Sequence, residues 1–299
     1  MEWEGDEKEL KAAGAELLTD GRRGLRIQGW EIESRKCSIL NSAQREQWEE
    51  RLTTSHLPEM IFGENSLVLK HVTSGVKFCF NAFDALVGWK EEGLPPVEVP
   101  AAAIWKFRNK PSKEMVLDYD YTFTTPYGGS IIFETNYQWE NCKEKIDVAT
   151  LALKEPILFY DEIVLYEDEL ADNGISLLTV KVRVMPSGWF LLLRFWLRVD
   201  GVLMRLRDTR MHCTFVVPGK SVILRESCWR ETSFQSLSSK GLPTDSAAYS
   251  DPSSSSERLP VILQRTQKLN ISDAVGLVLP TMEHNNCGPH HARDLLSLR

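Results

Sequence analysis

What this 299-residue chain lacks narrows it before any motif does. No apolar run reaches the roughly 20 residues that a membrane helix needs. The stretch that comes nearest, Gly188 to Gly201 ("GWFLLLRFWLRVDG"), is broken by Arg194 and Arg198. Positive charge is short: 35 basic against 42 acidic residues leave a net charge of -7, which argues against binding nucleic acid through bulk charge. The six cysteines (Cys37, Cys79, Cys142, Cys213, Cys228 and Cys287) form no Cys-x-x-Cys pair and no dense array, so they read as free thiols of a reducing compartment. The acidic first 24 residues lack the apolar core of a secretory signal, and the expected location is the cytoplasm, with the nucleus as a second compartment. There is no Gly-x-Ser-x-Gly, no P-loop lysine and no internal repeat, and His56, His71 and His212 stand alone.

What is present is alternation. In the opening stretch Trp189, Leu191, Leu193, Phe195, Leu197 and Val199 share one face of a strand, with Phe190, Leu192, Arg194, Trp196, Arg198 and Asp200 on the other. Asp200-Gly201 signals a two-residue type I′ hairpin into Val202–Thr209. That register sets Val199 against Val202, Leu197 against Met204, Phe195 against Leu206 and Leu193 against Asp208. It gathers Arg194, Arg198, Arg205 and Arg207 around Trp196 on the reverse face. Like charges directly opposite one another are unfavourable, so this face calls for acidic neighbours or an anionic ligand. Salt bridges to a neighbouring acidic strand, through Glu162 and Glu167, are the plain reading; a carboxylate- or acidic-peptide-binding surface is the alternative.

Elsewhere, residues 7–18 read as a short helix, "LRIQGWEIE" as a strand, and residues 43–53 as a helix started by Asn41 or Ser42. "SLVLKH" and "GVKFCF" form a hairpin with Val76, Phe78 and Phe80 on one face, and "NAFDALVGW" is a short helix. "DYTFTT" and "SIIFET" flank a "PYGG" turn, "ILFYDEIVLYEDEL" is a strand, and "SLLTVKVRVM" alternates with Leu178, Val180, Val182 and Val184 inward. "RLPVILQRTQKLNI" returns as a final strand. Tight turns between strands and few, mostly early helices predict an α+β fold of mainly antiparallel, sandwich-like sheets with flanking helices. The expected organisation is an extension over residues 1–24, one domain over 25–271 with a serine-rich surface loop at 233–256, and a disordered tail over 272–299.

Several stretches imitate sites. His284, Cys287, His290 and His291 in "HNNCGPHH" are zinc-compatible residue types, but nothing around them signals folding. "YEDELADNG" lacks the alternate-ligand spacing of a calcium loop, and Asp118 and Asp120 read as solvent-facing residues of an edge strand. No metal, no other cofactor and no catalytic set is expected.

"LPEMIFGEN", "NAFDAL", "DYDYTFTT", the run from Pro156 to Val202 and "RLRDTR" together resemble the TIP-forty-one-like (TIP41-like) family of TOR-signalling regulators. "LRESCWRE" and "SDPSSSSERLPV" are similar to its plant branch, and the likeness spans Leu25 to Ile271. The resemblance implies a non-enzymatic regulator that binds catalytic subunits of type 2A-family serine/threonine phosphatases, engaging the active-site region and the C-terminal tail. Matched by motif, it implicates Asp84, Ile146, Leu206 and Asp208. Where many relatives carry methionine and asparagine in the last motif, this chain has Leu206 and Arg207, the first of similar volume and the second an added charge. Arg194, Arg198, Arg205, Arg207 and Trp196 are then the candidates for holding a partner's tail carboxylate. A monomer is expected, bound to neither nucleic acid nor membrane. The competing readings are an adaptor for acidic or carboxylate-ended peptides unrelated to phosphatases, and a hydrolase with an unfamiliar site.

Overall fold

The computed structural model describes residues 3–4, 6–54, 57–87, 97–99, 115–117, 125–133, 137–170, 174–217, 220–249 and 259–272. In chain order these form β1 (Trp3–Glu4), α1 (Glu7–Ala12), β2 (Glu16–Leu17), β3 (Arg23–Ile27), β4 (Trp30–Arg35), α2 (Ser42–Leu52), β5 (Met60–Ile61), β6 (Ser66–His71), β7 (Lys77–Asn81) and α3 (Ala82–Val87). There follow β8 (Val97–Val99), β9 (Met115–Leu117), β10 (Ser130–Ile132), β11 (Glu140–Asn141), α4 (Val148–Leu151) and β12 (Phe159–Asp168). The chain continues through β13 (Gly174–Met185), β14 (Gly188–Val199), β15 (Leu203–Val217), β16 (Lys220–Ser233), α5 (Phe234–Ser239), a 3-10 turn (Ser246–Tyr249) and β17 (Val261–Ser272).

Two antiparallel sheets carry the fold, as the alternation and tight turns predict. The large one runs β1-β12-β13-β14-β15-β16-β17-β11, with β5 beside β12; the small one runs β10-β7-β6-β4-β3-β2. β8 and β9 pair separately. The sheets meet through the face predicted to be inward: Trp189, Leu191, Leu193, Phe195, Leu197 and Val199 are all buried, as are Leu178, Val180, Val182 and Val184. From the small sheet, Trp30 sets its ring edge-on to Trp189 (centroids 5.2 Å apart) and stacks on Phe78 (6.1 Å), while its indole N–H donates to Ser221 of the large sheet (3.2 Å). Truncating such a ring in a packed core costs about 3–5 kcal/mol. Asn41 starts α2 with a capping box, exchanging hydrogen bonds of 2.9 and 3.0 Å with Gln44.

Four local expectations change. The helix read over residues 7–18 ends at Ala12, and Glu16–Leu17 pairs with β3 as β2. "LRIQGWEIE" is a hairpin, not one strand: Gln28 (φ 47°) and Gly29 (φ 80°) both take positive φ, the requirement of a type I′ turn, between β3 and β4. The β14–β15 turn is not type I′. Only Gly201 takes positive φ (76°), and Val202 N–H donates to Val199 carbonyl (3.0 Å), which is a type II turn with a longer loop. Pairing therefore begins Val199↔Leu203 and continues Arg198↔Met204, Leu197↔Arg205, Trp196↔Leu206, Phe195↔Arg207 and Arg194↔Asp208. Relative to the expected register every partner moves by one, so each β15 side chain lies on the opposite face. Finally, the described part of the serine-rich segment carries α5 and the 3-10 turn. Leu237 and Tyr249 anchor it with Trp196, Met204, Leu206 and Leu259 in a second core on the outer face of the large sheet.

A polar knot ties the two sheets at the other end. Asp161 on β12 receives Arg23 (2.9 Å), the Ser34 hydroxyl and the Lys36 ammonium. Burial alone raises its pKa, but Lys36, Ser34 and Arg23 outweigh that and hold the carboxyl below its ordinary value. A depressed folded-state pKa contributes stability above the unfolded value of about 3.9, and that contribution is lost as pH falls through the folded value. Asp161→Asn is accordingly expected to destabilise by about 2–3 kcal/mol at neutral pH. In urea titrations, the gap to wild type should close below about pH 4.

Candidate functional site

The site is assembled where the small sheet ends against the large one. β7 closes at Asn81, whose side chain accepts from the Asp84 N–H (2.8 Å) and donates to Asp84 Oδ2 (2.8 Å), fixing the first turn of α3. The Ser130 hydroxyl donates to the same oxygen. Asp84 is half-buried, and its Oδ1 accepts no bond among the described residues.

Residues 125–130 bind this corner to the large sheet. The Thr125 hydroxyl donates to Ala85 carbonyl (2.8 Å), and the Tyr127 hydroxyl donates to Cys79 carbonyl (3.1 Å). Burial pushes the Tyr127 phenol far above its ordinary pKa, so it stays a donor. On the other side, Thr125 carbonyl accepts from Arg207 (3.2 Å) and Gly128 carbonyl from Arg225 (3.2 Å). Both guanidiniums lie over tryptophans: Arg207 is 4.2 Å from the Trp229 centroid and Arg225 is 5.7 Å from that of Trp139. Asp84 and Arg207 are thus each bonded to one short segment, residues 125–130, and both are partly exposed.

The rest of the predicted arginine face is not a face. Arg194 and Arg198 lie on the outer side of the large sheet, Arg205 and Arg207 on the inner side. Arg194 makes a two-bond pair with Asp208 (2.8 and 2.8 Å), Arg198 pairs with Asp200 (2.8 Å), and Arg205 pairs with Glu231. Glu162, expected as a partner, instead meets Lys181 (2.9 Å), and Glu167 lies opposite Leu177. Trp196 is 1% exposed. The acids that neutralise the arginines come from the hairpin itself and from β16.

Three of the four motif positions are buried supports. Leu206 (1% exposed) packs against Trp196 in the second core, and Asp208 (3%) holds Arg194, whose other nitrogen donates to Tyr249 carbonyl (2.7 Å). The Tyr249 ring leans on Trp196, centroids 5.4 Å apart. Asp208 therefore fastens the serine-rich segment to the sheet. Ile146 (4% exposed) lies at the far end of the same outer face, where its N–H donates to Glu226 (2.7 Å) and Leu151 carbonyl accepts from Arg183 (2.5 Å). His212 sits in that corner, its pKa pushed down by burial and then by Arg183. The sequence showed none of the Trp229 and Trp139 stacks; the pairing Arg207↔Trp229 becomes visible once β15 and β16 are known to be neighbours.

Among the described residues no three His, Cys, Asp or Glu side chains gather closely enough to hold a metal ion, and no helix is long and apolar enough to cross a membrane. Asp118, Asp120, His56 and the "HNNCGPHH" stretch lie outside the described residues. The five described cysteines are free thiols.

Comparison with known proteins places this arrangement. A family model described as the TIP41-like family matches residues 60–238, which include α3, α4 and the whole β12–β16 meander. A TIP41-like protein of Arabidopsis thaliana is 66% identical, over 92% of this chain and 100% of its own length. A TIP41-like protein of Homo sapiens is 38% identical over 78% of this chain and 84% of its own. The type 2A phosphatase activator TIP41 of Saccharomyces cerevisiae is 36% identical over 76% of this chain and 67% of its own. With a matched segment that contains Asp84, Ile146, Leu206 and Asp208 and relatives aligned across most of its length, the chain belongs to the TIP41-like family.

Proposed function

We propose that this protein is a non-enzymatic regulator that binds catalytic subunits of type 2A-family serine/threonine phosphatases and acts in TOR signalling. The observation that carries the reading is the yeast relative, 36% identical over 247 residues and named a type 2A phosphatase activator. The geometry divides the labour. Asp84, with one carboxylate oxygen held and the other available, and Arg207, 4.2 Å from the Trp229 ring centroid, form the contact surface. A guanidinium presented on an aromatic is suited to a peptide's terminal carboxylate, which it meets through two parallel hydrogen bonds. Ile146, Leu206 and Asp208 act indirectly, by holding the α4 segment and the Tyr249 segment on the outer face.

The test is affinity purification of the tagged full-length chain from cell extract, read by mass spectrometry. The expected outcome is recovery of type 2A-family catalytic subunits, with any phosphatase activity lost from the chain when they are stripped at high salt. Recovery of acidic-tailed proteins without any such subunit would replace this reading with a peptide adaptor. Activity that survives stripping and follows a point substitution in this chain would make it an enzyme.

A further inference from the structure

The crossing from the small sheet into α2 carries an exposed hydroxyl with no structural role among the described residues. β4 ends at Arg35, α2 is capped by Asn41, and residues 36–41 have no regular structure. The segment is pinned at two points. Cys37 N–H donates to the Asn65 side chain, and Leu40 N–H donates to Ile61 carbonyl (2.8 Å). Between those pins Ser38 is exposed and Ile39 is 47% exposed. Among the described residues, neither makes a hydrogen bond through its main chain, and the Ser38 hydroxyl meets no partner.

Three residues before Ser38 stands Arg35. Its guanidinium reaches Glu64 (3.3 Å), with the two side chains 59% and 58% exposed. An ion pair that open contributes at most about 1 kcal/mol, so the guanidinium is readily given up to another anion. Arginine stands three residues before a serine or threonine at two further places in the chain, and the fold closes both. Before Thr54, Arg51 lies in the last turn of α2, its Cζ 4.2 Å from the Phe83 ring centroid. Before Ser233, Arg230 lies in β16 and donates to Leu259 carbonyl (2.8 Å), and the residues between are paired as Arg205↔Glu231 and Met204↔Thr232. Of the three, Ser38 alone presents cation, hydroxyl and a following apolar side chain together, on a segment outside any ladder or helix.

We propose that Ser38 is a phosphoacceptor for a protein kinase that selects arginine three residues before the acceptor and an apolar residue directly after it. Such an enzyme discriminates its substrates by their charge pattern, and Arg35 and Ile39 supply the two marks. In the step, Ser38 Oγ attacks the γ-phosphorus of ATP. The new P–O bond forms as the bond to the bridging β-phosphate oxygen breaks; ADP leaves, and the hydroxyl proton passes to the catalytic aspartate of the kinase. The product adds about 1.5–2 negative charges at neutral pH. They stand two residues from Lys36, whose ammonium meets Asp161, so the modification changes the charge at the knot between the two sheets. The inference does not depend on the phosphatase reading.

The experiment incubates the full-length chain with ATP and the active catalytic domain of a calcium/calmodulin-dependent kinase, which selects arginine at that spacing. An acidophilic casein kinase is the control. Mass spectrometry locates the phosphate, and initial rates give kcat/KM at each position. The first kinase is expected to modify Ser38 at least about tenfold faster than Thr54 or Ser233, and the second to leave Ser38 alone. Arg35→Ala gives up one exposed ion pair, so its circular dichroism and urea midpoint should match wild type. It should nonetheless lower kcat/KM at Ser38 about tenfold to a hundredfold, the loss of one charge-assisted bond to the kinase, and Ser38→Ala should abolish the phosphate there. Three results would each overturn the proposal: no phosphate on Ser38 while an arginine-bearing reference peptide is fully modified, equal rates for wild type and Arg35→Ala, or faster transfer to Thr54 or Ser233.

Discussion

Asp208→Ala is expected to destabilise the protein by about 3–5 kcal/mol, because it leaves the Arg194 guanidinium buried without its anion. Arg194 is 8% exposed and Asp208 3%, and the pair is joined by two bonds of 2.8 Å, so solvent cannot take over the missing partner. Arg194→Met on the Asp208→Ala background should recover much of the loss, since an apolar replacement removes the stranded charge. The same single substitution should free the Tyr249 segment, raising amide exchange around α5 and Tyr249 well before global unfolding. Urea unfolding followed by circular dichroism reads the first effect. A cost within about 0.5 kcal/mol of wild type would show that the pair contributes no more than a surface ion pair.

The second large effect is on binding. Asp84→Leu removes the charge at similar bulk, and loss of a charge-assisted bond of about 1.5–3 kcal/mol should weaken capture of a phosphatase catalytic subunit about tenfold to a hundredfold. Asp84 also fastens α3 through Asn81 and Ser130, so stability must be measured beside affinity. Asp84→Asn, which keeps the shape, separates the two roles: restored stability with weak binding marks a direct contact, whereas recovery of both marks a structural one. Arg207→Ala should weaken binding to the full-length catalytic subunit more than to one lacking its last residues.

How much of this was legible in the sequence turns on one turn. The alternation of Trp189 to Val199 gave the inner face of β14 correctly, because large apolar residues at every second position admit no other pleat. The partner strand was misplaced by a residue, because Asp-Gly serves both a type I′ turn and a type II turn with glycine third, and the two differ in loop length. The warning was present. The two-residue register set Arg194 against Arg207 and left Asp208 on an apolar face, whereas a shift of one gives Arg194 an acid and Trp196 a leucine. A like-charge clash of that kind is better read as a register error than as a call for a ligand. The Thr125–Ser130 link between Asp84 and Arg207 had no local signal, since it joins segments 46 and 82 residues apart. The serine-rich segment misled for a compositional reason. The order of its described part, residues 233–249, rests on a few anchors, Leu237 and Tyr249 among them, and its serines say nothing about those contacts.

The central claim is direct recognition of a type 2A-family catalytic subunit through the Asp84–Arg207 surface. Its most direct test is equilibrium binding of purified catalytic subunit to the purified full-length chain, by calorimetry, for wild type and for Asp84→Leu confirmed as folded. The account predicts saturable one-to-one binding by wild type that the substitution weakens at least about tenfold; no binding by wild type, or equal binding by the folded variant, would contradict it.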